Sequence, residues 1–213
     1  MIDIDDFLPE VMTHAPNAPE PLVMRYIREV AQDLCRRTRF WREWDDIAVF
    51  GDADGEGVCA IPDAQIYKIE DAALVTDESR FKLVPVTPAW LDSNIPGWKY
   101  DYDGTEATPS YVVQTRPNTI MVVPKATGTL KVRLVLLPSR DAITLPDFLL
   151  EQYAPDIGKG AAARILALPV PEFANPALAA VLWGEFQGRL DTLAHEAQKT
   201  QLSARPRTKA SWF

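Results

Sequence analysis

The chain has 213 residues, 47% of them apolar, enough for one domain of ordinary size or a compact domain carrying a large insertion. No run approaches the roughly 18 apolar residues of a membrane span, and the N-terminus, MIDIDDFLPE, is acidic where a signal peptide is basic, so the sequence predicts a soluble protein made and used in a cytoplasm. The net charge of −8 is uneven: residues 1–110 hold 22 Asp and Glu against 10 Lys and Arg, whereas residues 111–213 hold 8 against 12. An acidic field repels nucleic-acid phosphates, which excludes avid DNA binding but suits a surface that DNA slides past, as it also suits an ordinary acidic protein.

Residues 1–16 carry a short apolar piece, Phe7, Leu8, Val11 and Met12, behind Asp3, Asp5 and Asp6, and predict one or two helical turns with the aspartates at the favourable end. After a break at NAPEP, Leu22, Tyr26, Ile27, Val30 and Leu34 form a helical stripe that runs to about Thr38. Arg36, Arg37, Arg39 and Arg42 follow where cations suit a helix C-terminus. Phe40, Trp41 and Trp44 are interleaved with them. That mixture can mark a nucleic-acid site, but here it predicts aromatics sealing the helix against a sheet and arginines meeting acids of the chain or of another subunit.

From Asp45 to Pro138 the period changes to that of strands. The expected strands are Ile47–Phe50, Gly57–Ile61, Gln65–Leu74, Arg80–Val86, Ser110–Thr115, Thr119–Val123 and Thr129–Leu136, with turns at GDADGEG, TDES, RPN and KATG between them. Seven short strands at close spacing predict an antiparallel sheet or small sandwich. Within this region TPAWLDSNIPGW reads as a short helix capped by Thr87, with Trp90 and Leu91 facing in, and KYDYDGTEATPS as an exposed loop.

Leu145–Gln198 predicts two helices joined by a Pro-rich elbow, the first broken in two by Pro155. Gly158 and Gly160, with Ala161, Ala162 and Ala163, leave one turn almost bare of side chain. Each glycine costs a helix about 1 kcal/mol against alanine, so close approach of another backbone is their expected use. The second helix starts with Asn175 as N-cap and Pro176 at its first position. Leu178, Val181, Leu182, Phe186, Leu190, Leu193 and Ala197 make its apolar face, against Glu185, Gln187, Arg189, Glu196 and Lys199. The last stretch, TQLSARPRTKASWF, has no helical period; it carries Arg205, Arg207 and Lys209 with no acid and ends in Trp212 and Phe213. It reads either as an extended arm that docks on another subunit or partner, or as a disordered end.

The sequence offers little chemistry. DADGEG has the opening of a calcium loop but carries Asp63 where the twelfth-position Glu is needed, so a β-turn is expected. Cys35 and Cys59 form neither a disulfide framework nor a metal motif and read as reduced thiols. His14 and His195 are the only histidines. No nucleophile elbow, H-E-x-x-H, Walker A or G-x-G-x-x-G occurs, and the GKG at 158–160 is too short to cradle phosphate. The expectation is a non-enzyme without catalytic residues, cofactor or metal.

The order of pieces is informative as a whole. PEPLVMRYIREVAQDLCRRTRFWRE is followed by TPAWLDSNIPGW, by PSYVVQTRPNTIMVVPKATGTLKVRLVLLPS, by LPDFLLEQYAPDIGKGAAARILALP and by NPALAAVLWGEFQGRL. In that order these stretches resemble the head-to-tail adaptor (connector, neck) proteins of tailed bacteriophages. The resemblance implies an α+β protein: a helical bundle from residues 1–44 and 139–200, an inserted antiparallel β-sheet or sandwich over 45–138, and an extended C-terminal arm over 201–213. It also implies a virion neck protein made in the host cytoplasm and assembled as a homo-oligomeric ring, commonly of twelve copies. Its partners would be the portal protein and a tail nozzle or tube protein, with DNA only as passing cargo and no membrane. Arg205, Arg207, Lys209, Trp212, Phe213, Gly158 and Gly160 are the residues expected at its subunit or partner interfaces. The competing expectations are another virion component, such as a tail-completion or capsid-decorating protein, and a non-viral binding protein or hydrolase.

Overall fold

The computed structural model describes residues 1–51, 55–77, 79–99 and 108–201. The chain begins with β1 (Ile2–Asp3), a 3₁₀ turn over Ile4–Phe7, α1 (Leu8–Met12) and α2 (Glu20–Thr38). Strands β2 (Arg42–Val49), β3 (Glu56–Val58), β4 (Ala64–Val75) and β5 (Arg80–Val86) follow, then α3 (Pro88–Asn94). After it come β6 (Tyr111–Arg116), β7 (Thr119–Val123), β8 (Gly128–Pro138), β9 (Thr144–Leu145), α4 (Asp147–Leu166) and α5 (Pro176–Gln201). The chain is α+β and divides into two units: Met1–Phe40 with α4 and α5, and Trp41–Leu145. The sheet unit thus begins at Trp41 and includes residues 139–145, beyond the 45–138 expected, because the β2 ladder already starts at Arg42 opposite Val135.

In the helical unit, Ile27, Val30 and Leu34 of the expected α2 stripe are fully buried together with Val23, Ala31 and Cys35, whereas Leu22 and Tyr26 of that stripe are half-buried at its edge. Arg39 ends the helix with φ 55°, and its N–H donates to the Cys35 carbonyl at 2.8 Å. Phe40 stacks on Tyr153 of α4 with ring centroids 5.5 Å apart. Helix α4 packs against α1, α2 and α5 and is one continuous helix. The break expected at Pro155 does not occur. Pro155 and Glu151, one turn before it, are both exposed, so the carbonyl that loses its N–H partner lies on the solvent side, where water can take its place.

In the sheet unit the strand order is β2-β8-β4-β5-β6-β7-β3, so all seven expected strands join one sheet. It is mixed, not wholly antiparallel: Val84, Pro85 and Val86 of β5 run parallel to Tyr111, Val112 and Val113 of β6. Parallel neighbours need a crossover, and the connection from Val86 to Tyr111, which contains α3, supplies it. Nor is the unit a two-sheet sandwich. The sheet curls until its end strands touch at Gly57 of β3, where a Cβ would lie 3.0 Å from Val49 Cγ1 and 3.1 Å from the Ala48 carbonyl oxygen of β2. Ile47, Val49, Leu74, Leu83, Ile120, Leu130, Val132 and Leu134 are buried in it. Helix α3 is capped as its sequence predicts, the Thr87 hydroxyl accepting from Trp90 N–H, and Leu91 joins Trp98, Val113, Met121 and Val123 in a second cluster.

Two aromatics expected inside are not. Trp44 is 59% exposed because it sits three residues from Ile47 and strand side chains alternate, so the pleat that buries Ile47 turns Trp44 outward. Trp90 is 39% exposed and leans on Tyr111, centroids 5.1 Å apart. Trp41 is buried, and its indole N–H donates to Glu43 Oε1 at 2.7 Å.

Candidate interaction surface

Helix α5 builds the surface with the clearest character. Asn175 Oδ1 accepts from Leu178 N–H at 3.1 Å, so the cap read from the sequence sets the start of the helix. Leu182, Phe186, Leu190, Leu193 and Ala197 are buried. Val181, expected with them, is 57% exposed because it falls outside the arc those residues define.

Three charged groups of α5 pair with residues of other helices in the chain. Glu185 meets Lys159 at 2.7 Å, and that hydrogen bond with its charge lowers the carboxyl's proton affinity and raises that of the amine. Arg189 meets Asp156 at 3.4 Å, and Asp191 meets Arg37 at 2.5 Å, with Gln187 accepting from the same guanidinium. These exposed pairs are individually weak. The outward face holds Ala177, Ala180, Val181, Gly184 and Gly188, followed by Asp191 and His195, all exposed. A Cβ at Gly184 or Gly188 would meet nothing within 4 Å, so neither glycine is required by anything the structure places near it.

Beside this face lies an apolar groove of about 510 Å³, lined by Ala163, Arg164 and Ala167 of α4 and by Pro176, Ala179, Ala180 and Trp183 of α5. Arg164 is fixed in its wall by a 3.0 Å contact to Glu29 and a second to Asp33, and its guanidinium lies 5.3 Å from the centre of the Trp183 ring. Trp183 remains 36% exposed at the rim. The groove can take an aromatic or aliphatic side chain and offers no general acid, base or nucleophile.

The glycines read from the sequence as interface residues lie elsewhere. Both are buried, and the close approach they permit is made within the chain. A Cβ at Gly158 would lie 2.6 Å from Glu10 Cβ of α1, and one at Gly160 would lie 2.8 Å from Val30 Cγ1 of α2 and 3.1 Å from the Phe186 ring of α5. Their role is to admit neighbouring helices of the same chain. Arg205, Arg207, Lys209, Trp212 and Phe213 lie outside the described residues, as does the first half of the DADGEG turn, residues 52–54. Asp63, at the position a calcium loop would need, accepts instead from the Thr144 N–H at 2.9 Å and from its hydroxyl. Arg36 and Arg42 meet Asp33 and Glu70 at 3.2 and 3.1 Å, so these arginines pair within the chain as expected. Cys35 and Cys59 are free thiols, and burial pushes them up to about 12 and about 11. No three His, Cys, Asp or Glu side chains stand together in a metal-holding group among the described residues. No described helix is long and apolar enough to cross a membrane.

Sequence reasoning missed Trp183 and the open glycines. The signal was present: Gly184 and Gly188 stand four apart in an otherwise good helix, and two such glycines invite a reason. It also missed Asn118, whose left-handed backbone (φ 59°) turns the β6–β7 hairpin while its amide clamps β4, accepting from Ile66 N–H and donating to the Ala64 carbonyl, both at 2.8 Å.

The model of one protein family, described as "SU10 adaptor protein", matches residues 2–209. No curated protein matches the chain.

Proposed function

Because the chain belongs to the SU10 adaptor protein family, a phage head-to-tail adaptor family, we propose that it works as a ring between the portal and the tail of a virion. The observation that carries this reading is the family match over nearly the whole chain, both units included. In this reading twelve copies surround a lumen through which genomic DNA passes without being gripped. The portal protein lies on one side and a tail nozzle or tube protein on the other. The acidic excess of residues 1–110 supports a DNA-repelling wall. The exposed small residues of α5, Ala177, Ala180, Gly184 and Gly188, support lateral packing of helices, and Arg205, Arg207, Lys209, Trp212 and Phe213 are anchors of kinds favoured at interfaces. The role is structural and requires no catalysis.

The test is to mix the purified protein with tail-less, DNA-filled heads and image the portal vertex by electron microscopy. A ring beneath the portal is expected, and its symmetry gives the copy number. Heads that stay bare while the protein remains a small particle in solution overturn the reading. Replacing Trp212 and Phe213 together with alanine is expected to impair ring formation while leaving far-UV circular dichroism unchanged.

A further inference from the structure

We draw no further inference here: the strongest candidate, the apolar groove between α4 and α5 with Trp183 at its rim, belongs to the surface already described, and nothing in the structure shows what covers it.

Discussion

Two glycine-to-alanine changes in adjacent helices should shift stability in opposite directions, because only one of the added methyl groups has somewhere to go. Alanine in place of a mid-helix glycine gains about 1 kcal/mol of helix propensity at either site. At Gly184 that gain stands unopposed, since no atom lies within 4 Å of the new Cβ. At Gly158 the new Cβ would lie 2.6 Å from Glu10 Cβ and 3.0 Å from the Glu10 carbonyl carbon. Both belong to or adjoin the backbone of α1, so no side-chain rotation relieves the clash. Helix α1 cannot retreat freely either, because Phe7 and Val11 beside Glu10 are fully buried. Overpacking of this kind costs about 1–3 kcal/mol, which leaves Gly158→Ala destabilised by about 1 kcal/mol after the propensity gain. In a chain of this size 1 kcal/mol moves the unfolding midpoint by about 2–4 °C, so the two variants should melt about 4–8 °C apart, on either side of the parent. Far-UV circular dichroism during heating, at low protein concentration so that association does not intervene, measures this. If Gly158→Ala melts at or above the parent, or Gly184→Ala below it, the division into inward and open glycines is wrong.

Asn175→Ala removes the acceptor for Leu178 N–H and should cost about 1 kcal/mol, measured as a lower urea midpoint with an unchanged m-value. Arg164→Met keeps the stem over Trp183 but leaves Glu29 and Asp33 facing each other without their shared cation; with all three groups partly buried, a loss of about 2 kcal/mol is expected in the same assay. Burial holds the Cys35 thiol at about 12 and that of Cys59 at about 11, above the ordinary range near 8.5. Folding therefore keeps protons that the unfolded chain releases, so this contribution is whole below about pH 8.5 and is lost as pH rises toward 11–12, at up to about 1.4 kcal/mol per pH unit for each thiol. Urea titrations across that window should show stability falling with pH, and Cys35→Ala should flatten the slope by one thiol's share; an unchanged slope refutes the assignment.

What could be read from the sequence was whatever depends on neighbours a few positions away. The α2 stripe, the Asn175 cap and the Thr87 cap are local hydrogen bonds and periodicities; both caps appear where their residues predict them, and the stripe does at Ile27, Val30 and Leu34 but not at Leu22 and Tyr26. The seven strands were legible for the same reason. Their pairing was not, because the parallel register of β5 and β6 depends on where a crossover lands. Pro155 shows the limit of a propensity rule: the rule counts the lost hydrogen bond but does not know that the orphaned carbonyl faces water. Gly158 and Gly160 were recognised as points of close approach, but one sequence cannot say whether the approaching backbone belongs to the same chain. Here it is α1, α2 and α5 of that chain.

The same uncertainty, applied to the other two glycines of the helical unit, leads to the opposite answer and gives the candidate surface its weight. A glycine kept in a helix has a continuing cost, so something must require it or nothing selects against it. For Gly158 and Gly160 the requirement is visible inside the chain. For Gly184 and Gly188 no neighbour is present. They continue an exposed stripe of small side chains that starts at Ala177 and Ala180 and ends at Asp191, which is paired with Arg37. A stripe of that kind admits the close approach of another backbone, as Gly158 and Gly160 do inside the chain, so these two glycines bear on the proposed packing between copies and not on the fold of one copy.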